Sequence, residues 1–185
     1  MEQSQEKPKR LGIKRVSADN WWQVDEAWRG TIMCSDPYRK DQLNGWVEGI
    51  CQVQLDAVVP DEIHKLFEVA RGAYVYSLPF YPLLTLGAEQ LFRVMEAAVA
   101  LHYKNCAGPD HPRKFKGRID WLLEHAKITS DLHARIDKAR EMRNMVSHPS
   151  QQSIYNPAMA LQILDSTAEI LNQLFAQPVQ KIGQD

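Results

Sequence analysis

The chain has 185 residues, enough for one domain with a real hydrophobic core and a small appendage. Its 22 Lys and Arg residues stand against 23 Asp and Glu, a net charge of −1, so bulk attraction to nucleic acid or membrane is not implied and anion binding must come from local patches. Cys34, Cys51 and Cys106 are widely spaced with no Cys-x-x-Cys pair, and no run approaches the roughly 20 apolar residues of a membrane span, which together fit a reduced, cytoplasmic setting with no membrane partner.

Residues 1–17 read as a disordered polar leader without the apolar run of about 7–15 residues that a signal peptide needs. Residues 18–59 read as a helical or irregular N-terminal extension. A first helix is expected after Ser17 or Asp19, carrying Trp21, Trp22, Val24, Ala27 and Trp28 and fading near Met33. Asp36-Pro37 marks a turn. Tyr38 to Trp46 fits a short helix, while Val47, Cys51, Val53 and Leu55 fit helix or extended chain equally well.

From Pro60 the pattern sharpens. Pro60 and Asp61 make a helix start, followed by Ile63, Leu66, Phe67, Ala70 and Tyr74 at helical spacing. Pro79 and Pro82 break that helix, and the next is expected from about Leu83 to Tyr103. A short helix covers about Phe115 to Ala126. Ser130 is expected to cap a helix running to about Ser147, and a last helix spans about Pro157 to Phe175. The expected fold is all-α, with a four-helix up-and-down bundle over 60–178, an irregular, partly helical N-terminal layer, and a short tail at 179–185.

One stretch carries chemistry: Arg143-Asn144-Met145-Val146-Ser147-His148-Pro149. Leu132, Ile136, Ala139, Arg143 and Val146 are spaced four, three, four, three, which puts an arginine on an apolar stripe. Arginine is rarely buried without a partner. Pro149 disfavours α geometry at His148, so His148 sits at a helix C-terminus, where the macrodipole favours the imidazolium. A histidine titrating near neutrality suits acid–base work, and an arginine can hold a phosphate. Together they could cleave RNA without a metal, through attack by the 2′-hydroxyl that DNA lacks. The five-residue step sets Arg143 and His148 about 140° apart on an ideal helix, so they are not a direct contact pair. The plain alternative is a helix C-cap with Arg143 paired to a carboxylate such as Glu89 or Glu96 inside a monomer.

Arg143-Asn144-x-x-x-His148 resembles the Arg-polar-x-x-x-His signature of the HEPN superfamily. Its placement on the penultimate helix, ending in His-Pro, is similar too, as are the upstream helix from Gly87 to Ala98 and the wording Ala139 to Asn144. The resemblance covers about residues 60–176. It implies a four-helix core that forms a homodimer, joining two Arg/His pairs in one cleft. It implies Arg143 and His148 as catalytic residues, with Asn144 and Ser147 in support, and no cofactor or metal. It further implies a metal-independent endoribonuclease or an RNA-binding protein, of the kind found in toxin and defence systems beside an antitoxin or nucleotidyltransferase. Other members are inactive dimerisation and interaction modules. The ending in Ser-His-Pro is similar to uncharacterised bacterial proteins.

The loop from His111 to Arg118 gathers Arg113, Lys114, Lys116 and Arg118 around Phe115, a candidate RNA-binding patch. A solvated loop with Phe115 and Trp121 facing the core is the simpler account. Trp21, Trp22, Trp28 and Trp46 read as packing of the N-terminal layer, and His102 as a hydrogen-bonded core histidine. No phosphate-binding loop, dinucleotide fingerprint, nucleophile elbow or zincin motif occurs, and Cys106 with His111 makes no zinc site.

Overall fold

The computed structural model describes residues 14–28, 40–106, 112–146 and 155–177. Those residues are all-helical: a 3-10 turn at Glu26–Trp28, then α1 (Lys40–Gln52), α2 (Asp61–Val75), α3 (Leu83–Cys106), α4 (Phe115–Glu124), α5 (Ser130–Val146) and α6 (Pro157–Ala176). The 24-residue α3 is central. It packs against α2, α4, α5 and α6, while α4 and α6 also touch α5, and α1 lies on α2. Being covered from several sides, α3 buries far more than one stripe: Leu84, Leu91, Val94, Ala98 and Val99 are fully enclosed. No described helix is long and apolar enough to cross a membrane.

Local chemistry explains most boundaries. Pro60 precedes α2 in extended geometry, where its missing N–H costs nothing, and Asp61 and Glu62 complement the positive end of the helix. Asn156 accepts from Met159 N at 2.9 Å and opens α6, with Pro157 in the first turn. Ser130 is not the cap of α5 but its first helical residue. The cap is Thr129, whose Oγ1 accepts from Leu132 N at 3.2 Å. At the end of α4, Lys127 N donates to Leu122 O at 2.8 Å and Ala126 N to Leu123 O at 3.0 Å, a Schellman closure in which Ala126 takes a φ of 52°.

Residues 40–52 resolve as one continuous helix. The segment 14–28, by contrast, forms turns and a 3-10 turn rather than the expected helix. Side chains there compete for the backbone: Asn20 Oδ1 accepts from Ser17 N, and Asp25 carboxylate oxygens accept from Ala27 N and from Tyr81 N. The segment instead satisfies the carbonyls of the α2–α3 corner. Trp28 Nε1 donates to Ser77 O at 2.9 Å, Lys14 Nζ to Pro79 O at 2.9 Å, and Trp46 Nε1 from α1 to Tyr74 O at 3.0 Å. Trp28 stacks edge-on with both Trp46 and Tyr81. The four tryptophans therefore divide: Trp28 and Trp46 are core, whereas Trp21 and Trp22 are exposed.

Candidate functional site

The stripe that carries Arg143 leaves the core as α5 proceeds. Leu132 and Ile136 are buried, Ala139 is half-buried, and the Arg143 side chain is 43 % exposed. Arg143 Nη1 lies 3.1 Å from Glu96 Oε2 on α3, itself 42 % exposed. An arginine at a stripe position is thus accommodated by the helix running past its covered stretch, with an α3 carboxylate opposite.

Around this pair Phe92 and Met95 of α3, Phe115 of α4, and Ala139 and Arg140 of α5 form a cleft of about 10 Å³, room for about one water molecule. A single chain therefore offers an exposed cation beside two rings, not an enclosed phosphate pocket. Asn144 is exposed one residue further on. Ser147 and His148 lie outside the described residues, as does His111.

A charged ladder that sequence reading passed over occupies the facing sides of α4 and α5. His133 Nε2 lies 2.8 Å from Asp120 Oδ1, Lys116 Nζ reaches Asp120 at 3.0 Å and Asp137 at 2.9 Å, and Arg140 Nε reaches Asp137 at 2.5 Å. The Arg140 bond to Asp137 holds that carboxyl below its ordinary pKa against burial, with Lys116 adding to the effect. Burial pushes Asp120 up, but the bonds from His133 and Lys116 together outweigh it, and its pKa falls. The pairs 116/120 and 137/140 have helix-neighbour spacing, so half of the ladder was visible in sequence. The pairing across helices was not.

The ladder divides the basic loop. Lys116 is taken up by two carboxylates, whereas Arg113 and Arg118 turn to a separate groove with Lys104. Lys114 is exposed at the start of α4. Phe115 and Trp121 pack inward, Trp121 edge-on to Tyr103.

His102 is buried on α3, its Nε2 3.6 Å from Cys106 Sγ and its ring edge-on to Phe175. Burial lowers the imidazole pKa, partly offset by the Lys127 backbone, and burial raises the Cys106 thiol. A dyad closed off in this way has no substrate access and serves packing. Among the described residues no group of three His, Cys, Asp or Glu side chains is placed to hold a metal.

Comparison with protein-family models, with curated proteins and with solved structures finds no match.

Proposed function

We propose that the protein is a HEPN-type RNA-binding protein and metal-independent endoribonuclease that works as a homodimer. The observation that supports this best is Arg143 itself: a half-exposed guanidinium in a cleft with Arg140, Phe92 and Phe115, on the last turn of α5 just ahead of His148. The packing of α3 against α2, α5 and α6 is compatible with the four-helix bundle that the resemblance implies. Because the cleft in one chain is too small for a phosphodiester, the substrate would lie over its open side, closed by a second copy.

In this reading Arg143 binds the scissile phosphate and stabilises charge as the 2′-hydroxyl oxygen attacks phosphorus. His148 takes the hydroxyl proton, and in a dimer the second His148 protonates the leaving 5′-oxygen. Asn144 and Ser147 support that pair, while Lys114, exposed at the start of α4, adds a phosphate contact outside it. A role in a toxin or defence system, with an antitoxin or nucleotidyltransferase partner, belongs to the same proposal.

A second reading has its own observation. The Arg143–Glu96 pair is formed within one chain, as expected of a catalytically silent interaction module in which the motif is structural. The two separate experimentally. Purified wild type and His148→Ala are incubated with mixed RNA in EDTA, with oligomeric state measured by light scattering. The enzyme reading expects cleavage by a dimer that is lost in the variant. Intact RNA with both proteins supports the module.

A further inference from the structure

An open groove of about 670 Å³ runs between α2, α3 and the start of α4, away from the Arg143 cleft. This volume lies within the range of small-molecule sites, about 300–1,000 Å³. Leu66 of α2 with Ala97 and Leu101 of α3 gives it an aliphatic lining. Three cations, Lys104, Arg113 and Arg118, line it against one carboxylate, Glu62. Among the described residues no carboxylate pairs with Lys104, Arg113 or Arg118.

Arg118 is fixed in advance. Its Nε donates to Pro112 O at 3.2 Å, and its guanidinium carbon stands 5.8 Å from the Tyr103 ring centroid. Gly117 permits this arrangement, because a Cβ there would fall 2.9 Å from Pro112 Cβ and push away the loop that carries Arg113. Held in this way, a guanidinium loses little freedom on meeting an anion.

We infer that this groove binds an amphiphilic anion, a phosphate-headed ligand with an aliphatic body. Lys104, Arg113 and Arg118 receive the head, and Leu66, Ala97 and Leu101 receive the body. Three cations against one carboxylate leave a local excess of two positive charges, which suits a phosphate better than a single carboxylate. An unpaired RNA base fits less well. Tyr103 is the aromatic ring in the lining, and it is 6 % exposed and covered by Arg118, so no ring is open for stacking. The inference does not rest on the nuclease reading.

The test is calorimetric titration of the full chain with hexyl phosphate, inorganic phosphate and hexanol. Hexyl phosphate is expected to bind at one saturable site, about tenfold or more tighter than either part alone, since six methylene-type carbons and a multiply contacted head each contribute. Lys104→Met and Leu66→Asp alter exposed side chains, so both variants are expected to fold, checked by circular dichroism. Each should weaken hexyl phosphate about tenfold. Equal affinity for inorganic phosphate and hexyl phosphate, or variants that bind as wild type does, would overturn the inference. So would displacement of hexyl phosphate by a short single-stranded RNA whose own binding falls in both variants, because the groove would then be an RNA surface.

Discussion

Arg143 of α5 and Glu96 of α3 face each other at 3.1 Å across a cleft whose other walls are largely apolar. Both side chains are more than two-fifths exposed, so the pair is screened and contributes at most about 1 kcal/mol to stability. Its larger effect is on Arg143 as an anion site, since Glu96 opposes any incoming phosphate. Glu96→Gln should therefore leave the melting temperature nearly unchanged and tighten RNA binding several-fold. Thermal unfolding and a filter-binding titration at fixed salt read the two quantities.

Gly87 lets α2 approach α3. A Cβ at this position would fall 2.4 Å from Tyr74 Cδ1 and Cε1, and Tyr74 is fully buried with no room to retreat. Overpacking of this kind costs about 1–3 kcal/mol, more than the helix propensity that alanine gains. Gly87→Ala should lower stability by about 2 kcal/mol in urea unfolding. Gly45→Ala is the control: its Cβ meets nothing within 4 Å, and the variant should be neutral or stabilising.

Ala126 holds the left-handed position of the Schellman closure after α4, where a Cβ costs about 1 kcal/mol. Ala126→Gly should raise stability by up to about 1 kcal/mol, read as a higher urea midpoint with an unchanged slope.

His102 is kept neutral by burial, so its folded pKa lies below the ordinary value. Well above its ordinary pKa of about 6.5 the ring is neutral in both states and adds no pH dependence. As the pH falls from there toward the lowered folded pKa, only the unfolded chain takes up the proton, and stability is lost. His102→Gln should flatten the fall of melting temperature as the pH drops through about 6.5 and below. A slope equal to that of wild type would contradict the assignment.

The helices from Pro60 onward were legible because local signals agree with packing there. Pro60, the Pro79/Pro82 break and the Asn156-Pro157 start coincide with apolar stripes that bury against α3. The segment 14–28 was misread because its tryptophan spacing looks helical, while Asn20 and Asp25 bond the backbone and Trp28 is drawn to Ser77 O by a contact distant in sequence. At the candidate site, the stripe position of Arg143 was readable, and Glu96 was one of two carboxylates named as its partner only in the plain alternative, not in the leading reading. That the stripe would pass out of the core before Arg143 was not readable, since it depends on how far α3 and α4 extend over α5. The division of the basic loop between the ladder and the groove likewise depends on Asp137, a residue of another helix.

The central claim is that Arg143 and His148 promote attack by the 2′-hydroxyl on the neighbouring phosphate. Its most direct test is single-turnover cleavage, in EDTA, of an RNA strand and of the same strand made 2′-deoxy throughout. The account predicts that wild type cuts the RNA and leaves the deoxy strand intact, and that Arg143→Ala and His148→Ala each slow cutting about 100-fold or more. Cleavage that persists in both variants, or a well-folded wild-type dimer that cuts neither strand, would contradict it.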